Sequence, residues 1–408
     1  MKTYFILAWR NLWRNRRRTL ITVSSICFAL FFGLMMKSVV KGMYDRIDDQ
    51  MIRNTTGYVQ LQHPAYWDDK NIDNSMAWDE DFKSLVQSTP GVEAMAPKLD
   101  YFALVSTGNI TKGTAVIGTL PEMEKQLSGM HTKVVEGTYF SEANQGTMVA
   151  VDLAKYLKLS IGDTLVLFGQ GYHGITAAGK YWVQGIVDFN VPLMNTSMLF
   201  IHLEDAQHLF GAEGRLTHVS LMVESPEYMI PVQSQLNQQL DSTQAIAKNW
   251  KELNPEYVQS QGTKNVSTGI MIGVLYLIVG FGIFGTLFMM TLERRREFSV
   301  MISIGMKRSK LAIVVFIESV LLGIIGVLSG LGISLPVLFY LNANPIELTG
   351  DMAAMYRQYN IEPTFIFSTE PVFIFNQLMI IFCICVLLAV VPIISVHRLN
   401  FVNALRGR

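Results

Sequence analysis

The sequence predicts a membrane protein of four transmembrane helices, arranged one plus three, with a large α+β extracytoplasmic domain between helices 1 and 2. Three observations predict it. Half of the 408 residues are hydrophobic and only 16% are charged, where ordinary soluble domains carry about a quarter. Four apolar runs each exceed the roughly 20 residues that span hydrocarbon as helix. One long polar stretch, 43–267, separates the first run from the other three. The formal net charge is zero, which argues against nucleic acid as a partner, because such binders carry a basic excess.

The elements follow in order. Residues 1–18 interleave Tyr4, Phe5, Leu7, Ala8, Leu12 and Trp13 with Arg10, Arg14 and Arg17, the pattern of an amphipathic helix lying in the headgroup region of the bilayer. Residues 19–42 form the first membrane helix. No small-x-small cleavage site follows it and three further runs do, so it reads as a retained anchor and not a signal peptide. Helical periodicity continues through Met43, Ile47 and Met51 as a stalk, with Lys41 and Asp45 spaced to pair at i, i+4. The second, third and fourth runs are 268–292, 311–341 and 372–396. They are joined by a basic segment, 293–310, and a short loop, 342–371, and followed by a tail, 397–408.

Within 43–267, alternating or β-branched runs predict strands at 58–62, 114–117, 147–151, 164–168, 181–187 and 218–223. Helical pieces fall between them at 79–88, 152–159, 203–210 and 232–240. An α+β domain of two lobes is expected.

Charge sets the orientation. Residues 1–18 hold Lys2, Arg10, Arg14, Arg16, Arg17 and Arg18. The 293–310 segment holds Arg294, Arg295, Arg296, Lys307, Arg308 and Lys310, and the tail adds Arg398, Arg406 and Arg408. Residues 43–267 carry 15 basic against 26 acidic side chains. The positive-inside rule then places both termini and 293–310 in the cytoplasm and the large domain outside. The zero net charge is a cancellation of two opposite faces.

Several motifs resemble chemistry without supporting it. Gly169-Gln-Gly171-Tyr172-His173-Gly174 matches G-x-G-x-x-G, but a strand and not a helix is expected after it, so no helix N-terminus is there to hold a pyrophosphate. Gly174 to Tyr181 falls one residue short of a phosphate loop and lacks its Ser/Thr. Gly280, Gly282 and Gly285 lie in a membrane helix, where glycine ordinarily serves close packing. Cys27, Cys383 and Cys385 all sit in apolar runs, which excludes a disulfide framework or cysteine zinc site. Six of the seven His are scattered through 43–267, and no H-E-x-x-H or G-x-S-x-G is present, so neither a catalytic nor a metal site is expected. Glu318 is the one acid inside a run. Lying eight residues past Lys310, about 12 Å at helical rise, it is expected to stay near the interface and pair with a basic residue of the N-terminal segment.

The segment from Glu293 to Arg308, Glu-Arg-Arg-Arg-Glu-Phe-Ser-Val-Met-Ile-Ser-Ile-Gly-Met-Lys-Arg, resembles a signature of MacB/FtsX-like ABC transporter permeases. Residues 318–326 resemble that family's third membrane helix. Gly146 to Thr164 and Val183 to Val187 resemble its periplasmic core, and Phe401 to Arg406 partly matches its usual ending. The size of the outer domain, the opening 8–18 and the stretch 56–62 are similar to the lipoprotein-release (LolC/LolE-type) permeases in particular.

The resemblance implies a non-catalytic permease of the cell inner membrane that binds no cofactor itself. ATP and Mg would sit on a separate cytoplasmic ATPase present in two copies, beside a second permease, identical or homologous. The 293–306 segment would dock into the ATPase and transmit its motion, with Arg294, Arg296, Glu297, Phe298, Met301, Ile302, Gly305 and Met306 as the coupling residues. On a helix, Glu297, Met301 and Gly305 stack at i, i+4 with Phe298 and Ile302 alongside, an apolar stripe suited to a groove. A periplasmic carrier or adaptor would meet the hairpin Gly169, Gly171, Tyr172, His173, Gly174 and Ile175. Lipoprotein release is the first expectation. Efflux of peptides or macrolides, and signalling to a periplasmic partner such as a cell-wall hydrolase, are the alternatives.

Overall fold

The computed structural model describes residues 2–14, 16–140, 145–358 and 363–397. The tail from residue 398, with Arg398, Phe401 to Arg406 and Arg408, lies outside the described residues. Contacts divide the chain into two compact units. One comprises 1–45, 260–347 and 364–408, and the other 46–259 with 348–363.

The first unit is helical. The helix α1 (Lys2–Arg14) precedes α2 (Arg16–Met51), and after the second unit come α3 (Pro255–Glu293), α4 (Arg295–Ser303), α5 (Arg308–Ala343), α6 (Pro371–Leu388) and α7 (Val390–His397). Four stretches, Arg16–Thr56, Pro255–Glu293, Arg308–Ala343 and Pro371–Ile394, are long and apolar enough to cross a membrane. Both α2 and α3 overrun their apolar windows by several turns, because the polar residues that follow or precede still favour helix. Lys41 reaches Asp45 at 3.0 Å and Glu370 at 2.7 Å.

Side chains of α1, α2, α3, α5 and α6 share one core, including Ala8, Leu12, Ile26, Leu30, Ile283, Leu287, Leu322 and Ile381. Gly326 and Gly330 let α5 meet α2 closely. A Cβ at Gly326 would lie 2.6 Å from that of Ile26, and one at Gly330 only 3.0 Å from Leu30. The glycines at 280, 282 and 285 differ from expectation, since no described atom beyond their own helix comes within 4 Å of where their Cβ would be. The close packing expected of them is made instead by Gly326 and Gly330.

In the second unit ten strands form one sheet: β1 (Val59–Gln62), β2 (Val92–Ser106), β3 (Thr111–Thr119), β4 (Val134–Gly137), β5 (Gly146–Ala150), β6 (Thr164–Gln170), β7 (Thr176–Val187), β8 (Met198–His202), β9 (His218–Val223) and β10 (Ile246–Asn249). Six of them close a ring in the order β2-β3-β8-β5-β7-β6, with β6 pairing back onto β2. Ala103, Val105, Leu165, Leu167 and Leu199 are buried along it, whereas Phe102, Leu104, Val166 and Phe168 of the same strands are exposed, as strand alternation requires.

The remaining order β10-β1-β9 extends from β2. The two regions of the sheet share β2. Its first half pairs with β9 from Val92 to Lys98, and its second with β3 and β6 up to Ser106, so one strand belongs to both regions of one sheet.

Candidate functional site

The apolar run of α3 ends at the charged stretch that opens with Glu293. There the backbone breaks at Arg294 (φ −89°, ψ 1°) and restarts as the nine-residue α4. This helix ends on Gly305, whose φ of 104° lies in the left-handed region that favours glycine. The Met306 amide donates to the Met301 carbonyl and the Gly305 amide to the Ile302 carbonyl, both at 3.0 Å, the paired bonds of a Schellman stop. Gly305 is therefore a helix terminator and not part of a contact stripe.

Phe298 also differs from expectation. It is 1% exposed, in a small core with Leu311, Ala312, Val315 and Val396, and Met301, Ile302 and Met306 pack partly against it. An amphipathic helix buries one stripe, and here the chain's own α5 and α7 have taken it. The exposed residues of α4 are Arg295, Arg296, Glu297, Val300 and Ser303, and Arg296 and Val300 continue at i, i+4 into the C-cap Ile304, which is 82% exposed.

The charges around this segment form a network. Arg294 Nη1 donates to both carboxylate oxygens of Glu318, at 2.6 and 2.7 Å. Its Nε lies 3.4 Å from Glu297, and its guanidinium sits over the Phe298 ring, 5.1 Å from the centroid. Arg14 of α1 pairs with Glu297, and Arg18 of α2 with Glu293. Glu318 thus pairs with Arg294 and not with the N-terminal segment, whose Arg14 and Arg18 already have carboxylates of their own.

These groups, with Asn11, Thr19 and Met290, line a polar cavity of about 210 Å³. The Thr19 hydroxyl donates to the Leu12 carbonyl at 2.7 Å, closing the turn from α1 into α2.

The pairs are unequal. Glu318 is 4% exposed, and losing one partner of a buried pair costs about 3–5 kcal/mol because the other charge is stranded. Arg14 and Glu297 are both largely exposed, where a pair is worth roughly 0–1 kcal/mol. Burial pushes the Glu297 carboxyl up, but the Arg14 hydrogen bond and charge, with Arg294, outweigh it and hold the group below the usual range. Arg294 is accordingly clamped to α5, while Glu297 is only latched to α1. Arg294 and Glu297, two of the residues expected from the sequence to contact an ATPase, are brought together with the buried Glu318. Arg14, Arg18 and Glu293 complete the network, and Val300 and Ile304 supply the open face. The charge complementarity of Glu293 and Glu297, one turn apart, with Arg14 and Arg18 was the available signal.

The hairpin lies elsewhere, in the second unit. Its tip folds back: the His173 amide donates to Asp73 at 2.7 Å, Arg215 lies over the Tyr172 ring at 4.9 Å, and a Cβ at Gly171 would sit 2.4 Å from the Phe210 carbonyl. Gly169 and Gly174 border an open cleft of about 600 Å³ with Ile175, Phe102, Leu104 and Phe168. The segment resembling a phosphate loop runs as strand from Thr176, so no loop surrounds a phosphate there. Among the described residues, no group of three His, Cys, Asp or Glu is placed to hold a metal ion.

Two family models match the chain: the FtsX-like permease C-terminal model over residues 269–401 and the MacB-like periplasmic core domain model over 19–239. The lipoprotein-releasing system transmembrane protein LolC of Neisseria meningitidis serogroup B is 20% identical over 76% of this chain and 75% of its own length. The pyoverdine export ATP-binding/permease protein PvdT of Pseudomonas fluorescens is 23% identical over 81% of this chain, which spans only 51% of that protein. The periplasmic region of MacB from Actinobacillus actinomycetemcomitans, a solved structure, aligns with 53% of this chain and 97% of its own at a TM-score of 0.38 and 11% identity. On the two family models, which between them take in every membrane helix and most of the sheet domain, the chain belongs to the MacB/FtsX-like ABC transporter permeases.

Proposed function

We propose that the chain couples ATP hydrolysis by a separate cytoplasmic ATPase to motion of its 46–259 domain, by mechanical transmission and without catalysis of its own. One observation carries this reading: α4 presents an open face and is fastened at its base to α5 through Arg294 and Glu318. A partner that grips Arg296, Val300 and Ile304 would move that base with it. The basic flanks of 1–18 and 293–310 support a cytoplasmic position for this end of an inner-membrane protein, where ATP and Mg are available to the partner. The runs hold almost no ionisable side chains, which favours transmission over conduction.

Two ATPase copies and a second permease, identical or homologous, belong to the same proposal. Lipoprotein release is the cargo reading we favour, supported by the three-quarters of LolC that this chain matches. Efflux is the second reading, on the likeness to the pyoverdine export protein PvdT. The pinned hairpin at 169–175 offers less to a carrier than a projecting one would, so recruitment there is not part of the proposal. Depletion of the protein separates the two readings. Release predicts triacylated lipoproteins retained in the inner membrane, whereas efflux predicts normal sorting and altered sensitivity to exported compounds.

A further inference from the structure

The helix α1 has three sides. Ala8 and Leu12 are buried in the helical core. Phe5, Trp9 and Trp13, at i, i+4 and i+8, form an exposed apolar stripe, with the two indoles edge-on at 6.0 Å. The next stripe round carries Arg10 and Arg14, and Arg16 and Arg17 follow at the start of α2. Residues 2–18 contain no acid. Among the described residues Arg10, Arg16 and Arg17 have no ion-pair partner, while Arg14 has Glu297.

Tryptophans of this kind settle at the headgroup level of a membrane. A neighbouring arginine stripe then lies beside lipid phosphates, and an anionic surface draws each arginine to it. That attraction is as large as an exposed ion pair such as Arg14–Glu297. Phosphate and carboxylate therefore compete for one guanidinium.

We propose that anionic phospholipid headgroups bind the Arg10 and Arg14 face of α1 together with Arg17 at the start of α2 and displace Glu297 from Arg14, so that the anionic lipid content of the leaflet sets how tightly α4 is held. The consequence for transport rests on the coupling role given to α4 above, but the binding and the release do not, and the test needs no ATPase.

The test is hydrogen exchange of residues 295–303 in the full chain, reconstituted in nanodiscs of phosphatidylcholine alone or mixed with phosphatidylglycerol. Exchange through local opening should be about two- to fivefold faster with phosphatidylglycerol, the range an exposed pair allows. Glu297→Gln should be fast in both lipids. Arg10→Gln with Arg17→Gln should keep the slow rate in phosphatidylcholine and lose the lipid response. Equal exchange of the unmodified chain in the two lipids would overturn the proposal. So would a full lipid response in the Arg10→Gln, Arg17→Gln chain, or the same acceleration produced by inorganic phosphate in phosphatidylcholine discs.

Discussion

Arg294 and Glu318 form a forked ion pair that is almost wholly buried, one guanidinium nitrogen serving both carboxylate oxygens at 2.6 and 2.7 Å. It joins the residue at which the backbone turns from α3 into α4 to the body of α5. A carboxylate inside an apolar helix costs about 2.5 kcal/mol or more on insertion scales, so its partner is part of what keeps α5 in place. Alanine at either position should destabilise the chain by about 3–5 kcal/mol, and Arg14→Ala by less than about 1 kcal/mol. Thermal midpoints of the purified chain in detergent check this ranking, and a reversed order contradicts it.

Gly305 ends α4 in a conformation that costs an L-residue about 1–2 kcal/mol. No atom of the described residues lies within 4 Å of where a Cβ would stand, so backbone strain and not crowding decides the outcome. Gly305→Asn should be tolerated better than Gly305→Ala, and Gly305→Val should be worst. Hydrogen exchange across 299–306 should rise in that order.

Phe298 of α4 and Ile304, the C-cap of the same helix, should behave oppositely. Phe298→Ala removes a buried ring and should cost about 3–5 kcal/mol. Ile304→Asp touches an open position and should leave the thermal midpoint within a degree or two of the parent, as surface changes usually do. Its effect should appear only when a partner is present.

In the sheet domain, burial raises the Asp100 carboxyl to about 6, partly offset by Lys98. Burial and the Lys98 charge hold His218, whose Nε2 is 3.8 Å from Asp100, well below the usual imidazole range. The signs differ. Asp100 is ionised against its preference above pH 6, and that penalty is relieved as pH falls through 6 toward the unfolded value near 4. His218 is neutral in the fold, so below about 6.5 the unfolded chain takes up a proton that the fold does not, and stability drops. Asp100→Asn removes the first effect and keeps the second. The variant should lose stability steadily from pH 7 to 5, while the parent loses less, as read from thermal midpoints across that range.

The large features were legible because they rest on periodicity. The four apolar runs, the stalk and six strands follow from it, and the 203–210 helix was read to the residue. The long β2 was not, because Pro97, Lys98 and Asp100 interrupt its alternation. Lys98 is buried only because Glu124 of the Pro121–Ser128 helix meets it at 3.2 Å, a contact 26 residues away. The short β8 was missed because its apolar run offers too little length to choose strand over helix.

The site divides the same way. Residues 293–306 were legible as a unit from charge and turn chemistry. Which face of α4 is open was not, because Phe298, Val300, Met301, Ile302 and Ile304 surround most of the helix with apolar groups. Only Leu311, Val315 and Val396 decide that Phe298 turns inward. The partner of Glu318 likewise depended on which arginines other acids had already taken.

An ATPase gripping the open face of α4, as proposed, should lose its hold when that face is changed. Affinity purification of the chain in mild detergent, beside the Val300→Asp, Ile304→Asp double variant, tests it most directly. An ABC ATPase should co-purify with the parent chain and be lost from the variant, with both chains melting at the same temperature. An ATPase retained equally by the variant, or a parent chain that purifies with none, would contradict the proposal.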